Sequence, residues 1–301
     1  MQVPSPDHVR TRFLDTLPRK LFLLCGQSNM AGRGRIGSST APPLLDVLCF
    51  AQRQEEWREA MHPLHADKPE KAGVGPGLAF ASSILNHAPE LANGGIGLLP
   101  CAFGGSELAR WEVGGDLFEE TLRRVERCRK ASGPVELAGL LWHQGENDCG
   151  DAASAATYAA RLAPALDALR AALGDPSLPL VVGELSYDLD QSADDYLYAS
   201  TINAAIVAAP DRMDACAVIS AHGLGHNGDR LHFSAEAAEE LGRRYATAWL
   251  SLASISRQGR PPLLRGVVQA PPPRAPQPQF CFPTAEEALG RKAATVEAIR
   301  D

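Results

Sequence analysis

Short apolar runs alternate with longer segments of helical period along most of this chain, and that alternation is the signature of a parallel sheet covered by helices on both faces. The runs at residues 21–25, 47–50, 95–99, 137–142, 180–183 and 215–219 are read as strands. Between them, residues 116–131 place Leu117, Leu122, Val125 and Cys128 on one stripe, with charges elsewhere. Residues 152–173 carry Tyr158, Leu162, Leu166, Leu169 and Leu173 at helical spacing, but Pro164 removes an internal hydrogen bond and predicts a kink or two short helices. A last helix is expected from a cap at Ser234 to about Leu252, with Glu236 in its first turn.

The alternation gives way to other chemistry at both ends. Residues 1–19 read as an N-terminal extension, and residues 20–256 as the domain. Between Pro261 and Pro283 eight of 23 residues are proline, which no ladder or helix tolerates, so residues 257–283 read as a linker. Thr284 and Glu287 are spaced as a capping box, predicting a short C-terminal helix over residues 284–301 that is a surface appendage or a dock for a protein partner the sequence does not name.

Charge and cysteine usage narrow the function classes. With 29 Lys and Arg against 36 Asp and Glu, a net charge of -7, the chain has no global electrostatic support for gripping nucleic acid. No apolar run approaches the roughly 18–20 residues that span a bilayer, and the run after Arg19-Lys20 is too short for a secretory core. Seven cysteines, an odd number with no C-x-x-C, include Cys25, Cys49 and Cys101 inside apolar runs, where a thiol behaves as a small buried hydrophobe. A reducing, cytoplasmic setting is expected.

The first strand runs into Gly26-Gln27-Ser28-Asn29-Met30, at the carboxyl edge where open α/β sheets bind ligands, which makes Ser28 the leading nucleophile candidate. Met30 stands where the second glycine of G-x-S-x-G belongs, which argues against an α/β-hydrolase elbow. Gly32-Arg33-Gly34-Arg35-Ile36-Gly37 spells G-x-G-x-x-G, yet Ser38 to Pro43 follows as loop chemistry rather than a phosphate-binding helix. Asp229-Arg230-Leu231-His232 lies just before the last helix, and its spacing lets the carboxylate fold back on the imidazole. Donors for an oxyanion are available after the third strand, in Gly104-Gly105, and after the fourth, in Gln144. His62 with His65, and His222 with His226, have usable metal spacings but no further ligands complete a site, and no metal is expected. Cys25 lacks an adjacent base.

Taken in order, GQSNMAGRG, PCAFGGS, WHQGEND and GDRLHFS resemble the four blocks of the SGNH hydrolases, and more narrowly the sialate O-acetylesterase-like branch, carbohydrate esterase family 6, including its plant members. Residues 64–81 share that look, and the resemblance spans about residues 20–250. It implies a three-layer α/β/α fold of flavodoxin-like type around a parallel sheet of about five strands. It further implies Ser28 as nucleophile, His232 as base, Asp229 as orienting acid, and an oxyanion hole of Ser28, Gly104 and Gln144, with Gly105 an alternative to Gly104. Gln144 departs from the asparagine that SGNH enzymes in general use in this block.

Glu146 is the rival acid, because a glutamate of the Q-G-E block has been considered for that role in this branch. Asp229 is preferred for its tether to His232, which leaves Glu146 to hold loop backbone so that Gln144 keeps its aim. The expected activity is a serine esterase cleaving short-chain acyl, chiefly O-acetyl, esters on small-molecule or polysaccharide substrates through an acyl-enzyme, without a cofactor. The alternative is a catalytically silent carbohydrate-binding or scaffold protein on the same fold.

Overall fold

The computed structural model describes residues 17–37, 46–92, 94–133, 135–189 and 196–257. Its strands are β1 (Lys20–Gly26), β2 (Val47–Phe50), β3 (Trp57–Glu59), β4 (Ile96–Pro100), β5 (Glu136–His143), β6 (Leu180–Gly183) and β7 (Cys216–Ile219). They form one sheet in the order β3-β2-β4-β1-β5-β6-β7. Every pairing is parallel except that of β2 with β3, which is antiparallel. The sheet is therefore mixed, with seven strands where the resemblance implies about five, and its α/β class is the one expected.

Both faces of the sheet are covered, and β1 shows why. Leu21, Leu23 and Cys25 point into one core while Phe22 and Leu24 point into the other, the period of two that a strand imposes. The first core is closed by α3 (Asp116–Ser132), α4 (Ala152–Ala172) and α5 (Ala199–Val207), which follow α1 (Ser28–Ala31) and α2 (Gly77–His87) in the chain. The second is closed by α2 together with α6 (Ala235–Arg257). There Phe22 meets Phe80 and Trp249 edge-on, with ring centroids 4.9 and 5.0 Å apart. Tyr245 and Trp249 of α6 then place their polar tips on Trp142 and Ala138 carbonyls of β5, at 2.7 and 2.8 Å.

The helix α4 runs through Pro164 as one element and not as two short helices, one of the two expectations. Burial of Tyr158, Leu162, Leu166 and Leu169 along its length outweighs the single hydrogen bond that proline removes. At its start Asp151 accepts from the Ser154 N–H at 2.7 Å. The expected cap on α6 is present, with the Ala237 N–H donating to Ser234 Oγ at 3.2 Å, and the helix continues to Arg257, past the expected end at Leu252.

The six cysteines among the described residues are all buried, and no disulfide joins them. Burial pushes the Cys49 thiol up to about 11 and that of Cys216 up to about 12, as expected of thiols that serve as packing. No helix among the described residues is long and apolar enough to cross a membrane. Apart from Arg257, the expected linker over 257–283 and helix over 284–301 lie outside the described residues, as does the extension up to residue 16.

Candidate active site

The central position of β1 decides where the site forms. Its neighbours are β4 on one side and β5 on the other, so the loops leaving the carboxyl ends of all three strands lie side by side at one edge of the sheet, where open α/β sheets bind ligands. Those loops carry Ser28, Gly104 with Gly105, and Gln144 to Asp148. Gly26 makes the close approach possible: its φ is 124°, and a Cβ there would lie 2.0 Å from the His143 carbonyl oxygen. The next N–H, of Gln27, donates to that same oxygen at 2.8 Å.

Ser28, Asp229 and His232 come together. His232 Nε2 lies 3.0 Å from Ser28 Oγ, and its Nδ1 lies 2.7 Å from Asp229 Oδ2. Asp229 Oδ1 accepts the N–H groups of Leu231 at 3.0 Å and His232 at 2.8 Å, so its side chain closes a turn around its own loop. Arg230 between them sits at φ 60°, a left-handed conformation costing about 1–2 kcal/mol. The loop is tied down further by the Asn227 N–H on the His232 carbonyl oxygen, at 2.8 Å, and by Asn227 Nδ2 on the Arg33 carbonyl oxygen, at 2.7 Å.

These contacts set the charges. Burial opposes ionisation of Asp229, but the backbone N–H and imidazole of His232 and the Leu231 N–H outweigh it, holding the carboxyl below its ordinary value. Burial lowers His232, and Arg33 and Lys71 add to that, against the pull of Asp229. The imidazole is therefore neutral at pH 7, with its proton on Nδ1 toward the carboxylate and a lone pair on Nε2 toward the serine.

The expected oxyanion donors are arranged differently. The Gly104 N–H donates to Asp67 Oδ2 at 2.8 Å, an oxygen that also takes Arg33 Nη2 at 2.7 Å. Gly105 is exposed at φ 74°, and its N–H has no partner among the described residues. Gln144 is fully buried, and its amide hydrogens go to Asp148 Oδ2 at 2.6 Å and the Ser106 carbonyl at 2.9 Å, while Oε1 accepts from Tyr158 at 3.0 Å. Its donors are thus engaged, one within its own block and one on the block before it. Asn147, three residues on, is exposed, and its Oδ1 lies 4.0 Å from where a Cβ on Gly105 would stand. Asn147 is the asparagine of the third block, WHQGEND.

Glu146 makes no hydrogen bond or ion pair with His232 among the described residues; its Oε1 accepts from Asn29 Nδ2 at 2.6 Å, and its own backbone N–H also supports the carboxyl. Burial, with a smaller push from Asp148, raises its carboxyl to about 7 against the Asn29 hydrogen bond. Residues 32–37 contain no helix, and Gly34 pairs with Val74. His65 is buried near the Leu24 carbonyl, and His226 Nδ1 accepts the Gly228 and Arg230 N–H groups. Among the described residues no three His, Cys, Asp or Glu side chains gather as metal ligands.

The family described as carbohydrate esterase, sialic acid-specific acetylesterase matches residues 18–251. The chain belongs to this family. A probable carbohydrate esterase of Arabidopsis thaliana is 34% identical over 253 residues, covering 78% of this chain and 91% of the relative. The crystal structure of that Arabidopsis protein superposes with a TM-score of 0.69 at 31% identity, covering 78% of this chain and 99% of the other. The structure of NanS shares the fold at a TM-score of 0.64 and 16% identity, over 79% of this chain and 98% of its own. As a member of the carbohydrate esterase family this chain is a carboxylic ester hydrolase acting on carbohydrates. The α/β sheet, a fold shared with NanS, agrees with that membership.

Proposed function

We propose that this carbohydrate esterase removes short acyl groups, chiefly O-acetyl, from sugars by two-step acyl transfer. Ser28 Oγ attacks the ester carbonyl while His232 Nε2 takes its proton, and the imidazolium, steadied by Asp229, returns that proton to the leaving sugar hydroxyl. Water, deprotonated by the same imidazole, then cleaves the acyl-enzyme. The observation that carries this reading is the continuous relay Ser28–His232–Asp229, at 3.0 and 2.7 Å. Its test is release of acetate from p-nitrophenyl acetate and acetylated sugars, with labelling by an acyl-fluorophosphonate. A label on Ser28 is expected, and turnover without such labelling overturns the reading. Binding of sugars without turnover would instead favour a silent lectin-like role.

In this mechanism the oxyanion is held by the N–H groups of Ser28 and Gly105 and by Asn147 Nδ2, because the hydrogens of Gly104 and Gln144 are already engaged. Asn147→Ala is expected to lower kcat by about 10²–10³-fold with little change in KM, the usual loss for one such donor. Full activity in Asn147→Ala would return the role to another group.

The base must be neutral to act, and His232 lies below its ordinary value of 6.5. kcat/KM is therefore expected to fall about tenfold per pH unit on the acid side, with a midpoint below 6.5, because protonation of Nε2 removes the acceptor for the serine proton. A midpoint near 7 that disappears in Glu146→Gln would place the controlling ionisation on Glu146.

A further inference from the structure

Asn29 follows the proposed nucleophile directly, is 3% exposed, and engages both hydrogens and the oxygen of its amide across the site. Its Nδ2 donates to the Leu231 carbonyl oxygen at 3.0 Å and to Glu146 Oε1 at 2.6 Å, and its Oδ1 accepts the Phe233 N–H at 3.1 Å. Leu231 and Phe233 are the residues on either side of His232. One side chain attached beside Ser28 therefore grips the backbone before and after the imidazole, as a neighbouring strand would. Among side chains of this length only an amide offers both donor and acceptor for that grip.

The third partner fixes the amide itself. Glu146 is 1% exposed, and its second oxygen, Oε2, has no hydrogen-bond partner among the described residues. Its Oε1 lies 3.7 Å from His143 Nε2. The Tyr245 hydroxyl gives its hydrogen to the Trp142 carbonyl and so accepts from His143 Nδ1 at 3.2 Å, leaving Nε2 of that ring as a lone pair toward Glu146. Burial holds His143 down at about 3, so the ring stays neutral. Glu146 is thus enclosed, with its shortest bond directed at Asn29 and none at His232.

We propose that Asn29, anchored by the buried carboxyl of Glu146, is a positioning residue that fixes Ser28 Oγ against His232 Nε2, and that Glu146 serves the reaction only through this amide. The inference rests on Ser28 and His232 being nucleophile and base. It separates what the sequence left joined: a carboxylate near the triad that orients an asparagine and not the imidazole.

The test compares Ser28→Ala, Asn29→Asp, Glu146→Gln and the double variant Asn29→Asp/Glu146→Gln, by acetyl-ester kinetics and by the rate of fluorophosphonate labelling. Asn29→Asp sets two carboxyls against each other and removes the donor to Leu231, so kcat and labelling rate are expected to fall by about 10²-fold with KM within about threefold, the scale of a small misplacement of reacting groups. Adding Glu146→Gln supplies an amide hydrogen to the new carboxylate and is expected to recover at least about tenfold of kcat, with donor and acceptor exchanged. Recovery confined to kcat is not expected of a residue that only supports the fold. Wild-type kcat in Asn29→Asp, or a double variant no better than Asn29→Asp, overturns the proposal. If Asn29→Asp does not fold, Glu146→Leu reads the same coupling from the other end, and labelling of Ser28 at the wild-type rate in that variant overturns it. Activity surviving in Ser28→Ala would instead overturn the underlying assignment of the nucleophile.

Discussion

Ser28→Ala and His232→Ala are each expected to lower kcat for an acetyl ester by on the order of 10⁴–10⁶-fold, and the double variant is expected to be little worse than either. The non-additivity follows from the geometry, since a hydroxyl without its base and a base without its hydroxyl lose the same proton transfer across the same 3.0 Å. KM should change little, because neither side chain is assigned to grip the sugar. Ser28 is 6% exposed and His232 lies at the rim, so neither truncation opens a large cavity, and melting temperatures should stay close to wild type. Losses that multiply in the double variant would show that the two residues act independently and would sink the relay.

Six of the seven strands coincide with apolar runs because a strand covered on both faces writes its burial into successive positions, as β1 does from Leu21 to Gly26. The missing one, β3, is three residues long, lies at the sheet edge and keeps Arg58 and Glu59 in solvent, so it leaves no hydrophobic trace. The helix α2 was equally illegible for the opposite reason. From Gly77 to Ile84 it is buried nearly all round, so no polar stripe marks its period. In α4 the two-helix reading overstated the local rule, since one proline weighed against four large buried side chains does not divide the helix.

At the site, legibility followed chain distance and then failed on hydrogen-bond accounting. Asp229 and His232 are three residues apart, and a turn of that length has few ways to place them, so spacing alone brought them together. Ser28 was found by its place after the central strand. The hydrogen-bonding of the expected oxyanion donors is not legible in the same way, because the partner of Gly104 is Asp67, 37 residues away, and a partner of Gln144 is Ser106, 38 residues away. No pattern within a single block records which of its hydrogens another block has already taken. Asn29 leaves no local trace for the same reason: its partners lie 117 and 202 or more residues along the chain.

Asp229→Asn is expected to lower kcat by on the order of 10⁴-fold, through the tautomer rather than through the fold. An asparagine in this position can turn its amide nitrogen toward His232 Nδ1, which then accepts, and the ring proton moves to Nε2, where it faces Ser28 Oγ and blocks the transfer. The turn retains an oxygen for the Leu231 and His232 N–H groups only if that nitrogen points at the ring, so the backbone itself favours the unproductive arrangement. Glu146→Gln should cost less than about tenfold, because an amide oxygen at Oε1 still accepts from Asn29. The two variants also differ in pH behaviour. Asp229 lies below its ordinary value and is ionised throughout the working range, so Asp229→Asn should depress activity at every pH from 6 to 9, while any effect of Glu146→Gln should centre on pH 7. A larger loss in Glu146→Gln than in Asp229→Asn would move the orienting charge to Glu146 and leave the short Asp229–His232 contact as a turn-former only.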